Sequence, residues 1–196
     1  MLQAEDSLPD EAPGGASGGE MERLAAFDEA VAEIAARVEP VYREADGWLE
    51  QTRAGLVELL RFCDERPETA RALVVDSIAW GPQVLARRSQ LLEALADVLD
   101  RGCEQLDPAA APSLETAASL VGASLSWVQT RLVTERGSFV ELVPSLMSMI
   151  AHPYRGPLAA KRELERTLAD PVAETAAREP EGAASRSFED KLLTNA

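Results

Sequence analysis

Histidine occurs once in the 196 residues, cysteine twice, and aromatic side chains make up only 5%. The lone His152 stands beside Pro153 with no serine or cysteine nucleophile motif near it. A GxSxG elbow, a glycine-rich phosphate loop and an HExxH pair are all missing, which argues against an enzyme. Cys63 and Cys103 fall in separate helical patterns without CxxC pairing. That argues against a zinc site or a disulfide framework and makes reduced, cytoplasmic thiols the expectation. Cations are scarce too: 19 Lys and Arg face 34 Asp and Glu, for a net charge of -15. Nucleic-acid binding needs clustered positive charge, and these arginines are scattered among carboxylates, so direct DNA contact is not expected. No apolar run approaches the roughly 20 residues of a membrane span, so none is expected. The longest, 73–80, is interrupted by Asp76 and Ser77. The opening MLQAEDSLPDEAPGG is acidic where a signal peptide is basic and then apolar, which argues against export. No cofactor or metal is implied.

What the chain does have is helix. With 46% apolar residues it can bury a sizeable core. No alternating β-branched run appears, and Pro and Gly fall at helix-length intervals, which predicts an all-α domain of six to seven helices. Residues 1–19 are rich in Gly, Pro, Ser and acids and read as a disordered leader. Residues 20–169 form the domain, and 170–196 read as a mostly disordered tail.

The first helix is expected over 20–39, with Leu24, Phe27, Val31, Ile34 and Val38 on one stripe and Pro40 bending or ending it. The second starts near Asp46 as N-cap and carries Trp48, Leu56, Leu59, Leu60, Phe62 and Cys63. The third, 67–80, is apolar around nearly its whole circumference and is expected at the centre. The fourth, 82–101, shows Val84, Leu85, Leu91, Leu92, Leu95, Val98 and Leu99 on one face, with Gly102 as its stop. The fifth runs from N-cap Ser113 to about Glu135 and has two apolar faces, one with Val121, Leu125, Val128 and Leu132, the other with Leu120 and Trp127. A sixth begins at Pro144 and ends at HPYRGP, and a short seventh covers 158–168.

Several residues have a functional and a plain structural explanation. Asp76 either faces solvent or needs a partner or ligand, since a buried carboxylate must be compensated. Arg88 lies inside the apolar stripe of the fourth helix, where it pairs with Asp76, holds an anionic ligand group, or extends to water. Ser77 joins Asp76 in interrupting the third helix. Phe62, Trp80, Trp127 and Trp48 either line a pocket or fill the core. Acid pairs such as Glu163 with Glu165 and Asp97 with Asp100 read as solvated helix faces. Met147 and Met149 read as packing residues.

The order LAAFDEAVAEI, LLRFCDERPETARALVVDSIAWGP, RRSQLLEALADVL, LVGASLSWVQTRL and LVPSLMSMIAHPYRGPLAAKREL resembles the C-terminal regulatory domain of TetR/AcrR-type transcriptional regulators, over residues 21–168. The resemblance implies a helical ligand pocket for a small, mostly apolar effector and a dimer built from the last two long helices. Phe62, Asp76, Ser77, Trp80, Arg88 and Trp127 are then the candidate ligand contacts. Ala118, Val121, Gly122, Leu125, Trp127, Val128, Leu146, Met147 and Ile150 are the candidate homodimer face. The two apolar faces of the fifth helix also point to a dimer, unless the seventh helix covers the spare face within one chain. In that family a helix-turn-helix domain precedes the regulatory one, whereas residues 1–20 here form no recognition helix. The expectation is therefore a sensor and dimerisation module without its own DNA-binding headpiece, or a truncated or mis-started regulator. The alternative is a non-sensing interaction protein that heterodimerises with a full-length regulator.

Overall fold

In the computed structural model, residues 18–106 and 111–166 are described. The tail 170–196 and nearly all of the leader 1–19 lie outside them, except that Gly18 and Gly19 belong to the first helix. The described residues form six α-helices and three 3-10 segments, with no strand, so the domain is all-α. None of these helices is long and apolar enough to cross a membrane.

Helix α1, Gly18–Glu44, runs straight through Pro40 rather than stopping there. Pro40 lies on the exposed side of the helix, where the carbonyl left without a donor is open to solvent, and the extra turn delivers Tyr42 to the core. Helix α2, Trp48–Glu65, follows a tight turn in which Gly47 (φ 78°), not Asp46, takes the N-cap position. The two pack along each other as a helical hairpin.

Helix α3 is short, Pro67–Val74, and not central. From Asp76 to Ala79 the chain tightens into a 3-10 turn, with the Ser77 hydroxyl donating to the Leu73 carbonyl (2.5 Å). Of α3 only Ala70 is fully buried, Val74 is half-buried, and Ile78 is 51% exposed. The all-round apolar pattern misleads because it assumes a single 3.6-residue period through 67–80, and the period changes at Asp76.

Helix α4, Pro82–Asp100, is capped from outside. The Glu20 carboxylate, from the first turn of α1, accepts the Gln83 N–H (2.9 Å) at its positive end. Leu85, placed by its sequence on the buried face, is 43% exposed. Gly102 does not stop the helix; the chain continues as a 3-10 segment, Arg101–Gln105. Its lack of a side chain matters for packing: a Cβ there would lie 2.7 Å from the Trp48 ring.

Helix α5, Leu114–Thr134, ends at Glu135 in the left-handed region (φ 51°). A 3-10 turn, Phe139–Leu142, leads into α6, Val143–Glu165. Asp64 at the end of α2 organises that turn, accepting from the Ser138 hydroxyl (2.6 Å) and from the N–H groups of Phe139 (2.8 Å) and Val140 (3.2 Å). Helix α6 passes Pro153 and kinks at Gly156 (φ 78°), so the break falls within HPYRGP as expected, with a further helical stretch after it. Beyond the kink the helix is fastened to α2 by a buried Arg53–Glu163 ion pair and by Arg166–Glu50 (2.5 Å). Glu163, expected on a solvated face, is 4% exposed, whereas Glu165 does face water.

Candidate functional site

The apolar stripes of α1, α2 and α4 face one another across the middle of the domain without closing the space between them. They are joined there by residues of α3, α5 and α6. The result is a cavity of about 240 Å³ with walls from all six α-helices. Phe27, Val31, Ile34 and Val38 come from α1; Leu56, Leu59 and Phe62 from α2; Leu91, Leu95 and Leu99 from α4. Leu73 and Val74 of α3, Val121 and Val128 of α5, and Leu146 and Ile150 of α6 complete the walls.

Most polar groups on the wall are turned to local partners. The Thr52 hydroxyl donates to the Trp48 carbonyl (2.7 Å) and the Ser124 hydroxyl to the Leu120 carbonyl (2.8 Å). Burial raises the Tyr42 phenol, which is hydrogen-bonded to Arg101. Burial, reinforced by neighbouring Asp64, pushes the Cys63 thiol up to about 12, so at neutral pH it is a protonated apolar group and not a nucleophile. Arg88 differs from all of these. It lines the cavity half-buried, burial lowers its pKa, and no acceptor reaches it among the described residues. The wall is almost wholly apolar, and Arg88 is its one charged side chain.

Of the sequence-derived ligand contacts, Phe62 and Arg88 line this cavity and the other four do not. Asp76 is exposed and makes no ion pair with Arg88. Ser77 is fully buried but spends its hydroxyl on Leu73. Trp80 packs against the cluster of Phe27, Val31 and Val84, outside the cavity wall, and Trp127 lies 44% exposed on the outer side of α5. Trp48 is absent from the wall as well; it packs on Tyr154 with ring centroids 4.9 Å apart. The missed wall residues are mostly the α1 and α4 stripes. Their pattern shows which way they face but not whether the opposing side chains meet.

The expected dimer residues also divide. Val121, Val128, Leu146, Met147 and Ile150 are buried within the chain's own core, and Leu125 faces the cavity, so none of them presents an outer surface. Ala118, Gly122 and Trp127 do face outward, and a Cβ on Gly122 would meet open space. The segment beyond the α6 kink packs on α2 and leaves Trp127 uncovered.

Two core groups give the domain an alkaline limit. Burial raises the Tyr154 phenol, like the Cys63 thiol, to about 12. A raised folded-state pKa means that the unfolded chain releases its proton first. Stability from Cys63 is therefore whole below pH 9 and drains away as the pH climbs toward about 12. By about pH 10.5 the thiol alone is expected to cost about 2 kcal/mol. Urea midpoints measured at neutral and at high pH check this: Cys63→Ala should show a shallower alkaline loss than the wild type, and equal slopes would contradict it.

No family model, curated protein or solved structure matches this chain.

Proposed function

We propose that the chain is a TetR/AcrR-like regulatory module that binds a small, mostly apolar effector in the central cavity and dimerises through α5, acting in transcription without contacting DNA itself. The cavity carries this reading. Leaving 240 Å³ unfilled forgoes at most roughly 6 kcal/mol of packing at the ~24 cal/mol per Å³ of a closed cavity, a large share of a domain's typical 5–15 kcal/mol. A core that only had to be stable gains by closing that space; a binding site needs it open. For scale, an engineered cavity of about 150 Å³ takes up benzene, so this one admits a larger body. The net charge of -15 supports the absence of DNA contact.

The test is extraction of the purified protein followed by mass spectrometry, beside a Ser124→Phe variant whose added ring projects from the cavity wall. The proposal expects an apolar small molecule enriched in the wild type and depleted in the variant. Equal recovery from both would refute it.

The outward Trp127 and Val133, at 44% and 58% exposure, support the dimer and equally favour a second reading, an interaction protein that needs no effector. Light scattering should give about twice 21.1 kDa, and Trp127→Glu should return the mass of one chain. A single-chain mass for the wild type would remove the dimer from either reading.

A further inference from the structure

Among the described residues, every buried or half-buried arginine has a partner except one. Arg37 pairs with Glu58 and Glu65, Arg53 with Glu163, Arg87 with Asp28 (2.7 Å), Arg131 with Glu141 and Arg166 with Glu50. Arg101 bonds Tyr42, and Arg155 lies over the Trp48 ring at 5.4 Å. Arg88 alone is half-buried with no acceptor, and it is the one that lines the cavity. Its sequence neighbour Arg87 already ties α4 to α1, so Arg88 is not needed to hold that seam. A guanidinium taken partly out of water without a counter-charge is unfavourable unless something compensates it.

We infer that the cavity takes an apolar monocarboxylic acid, whose body fills the space between α1, α2 and α4 and whose carboxylate is bound by Arg88. This rests on the cavity being a ligand site. The planar fork of the guanidinium matches a carboxylate in two parallel hydrogen bonds. The cavity-lining hydroxyls of Thr52 and Ser124 are spent on backbone carbonyls and that of Tyr42 on Arg101, so Arg88 is the one charged side chain on a wall with little else polar. A doubly charged phosphate head would keep one charge uncompensated against apolar walls, and a neutral ligand would leave the guanidinium as it is. One charge against one charge is the balanced case.

Calorimetric titration of decanoate and decanol, both below their aggregation limits, separates the parts of this inference. The wild type should bind decanoate about 10- to 100-fold more tightly than decanol, the range of a charge-assisted hydrogen bond. Arg88→Met should erase that preference, so that decanoate binds no more tightly than decanol, and Arg88→Gln provides a second neutral variant should the first fold poorly. Arg88→Lys should retain part of the preference. Equal affinities in the wild type, or a preference that survives in both neutral variants, would overturn the acid while leaving the cavity as a ligand site. Failure of the wild type to bind either probe would overturn both.

Discussion

Replacing Glu163 with leucine is expected to lower the unfolding free energy by about 3–5 kcal/mol, the usual cost of stranding one member of a buried ion pair. Arg53 and Glu163 are 8% and 4% exposed, and their pairing fastens the stretch of α6 beyond Gly156 to α2. Burial, with a smaller push from Arg166, lowers the Arg53 guanidinium to about 10, so at neutral pH it remains charged and needs its partner. Its Nε has no hydrogen-bond partner even with the pair intact. Removing Glu163 leaves Arg53 buried without its counter-ion, because the nearby Glu50 is held by Arg166. The double variant Arg53→Met with Glu163→Leu should regain most of the loss, since an apolar pair carries no desolvation cost. Chemical denaturation decides between this and a dispensable surface contact: a loss below about 1 kcal/mol for Glu163→Leu would place the pair among exposed bridges.

Gly102→Val should cost about 3 kcal/mol, toward the upper end for overpacked cores, because two rings stand in its way. A Cβ at this position comes within 2.7 Å of Trp48 Cε2 and Cζ2 and 3.0 Å of Tyr154 Cδ1. Neither ring has room to retreat: Trp48 is 7% and Tyr154 2% exposed, and they pack on each other. In a Trp48→Leu background the same substitution should cost far less, the coupling expected of residues in direct contact. Full additivity of the two changes would show that the clash is not what Gly102 avoids.

These two sites also mark where the sequence stops being informative. Local periodicity and punctuation were enough for the helical class, the starts of α3 and α4 at Pro67 and Pro82, and the inward stripes of α1 and α2. Glu163 looked solvated because its own helix turn is charged; its partner Arg53 lies 110 residues away, a distance no local pattern spans. Gly102 looked like a helix stop because glycine after a helix usually is one, whereas the reason here is a ring delivered by the start of α2. Pro40 does not end its helix, whereas the HPYRGP segment does carry a break, at Gly156. The cavity follows the same rule. Phe62 and Arg88 were legible as pocket candidates from chemistry and position, but a stripe gives direction and not distance, so the unfilled space between stripes appears only in three dimensions. Asp76, Ser77, Trp80 and Trp127 were singled out for standing apart from their pattern. Each stands apart for a local reason: exposure, a backbone hydrogen bond, packing on α1 and α4, or an outward face.

If the space among α1, α2 and α4 is a binding site rather than a packing shortfall, thermal unfolding responds to decanol. A ligand that binds only the folded chain stabilises it by RT ln(1 + [L]/Kd), so the wild-type Tm should climb steadily with decanol concentration. Ser124→Phe should unfold at least as high as the wild type without ligand, its ring filling part of the 240 Å³, and should gain less from decanol. A wild-type Tm that does not respond to decanol, or a response identical in Ser124→Phe, would mean that the space is only a packing shortfall.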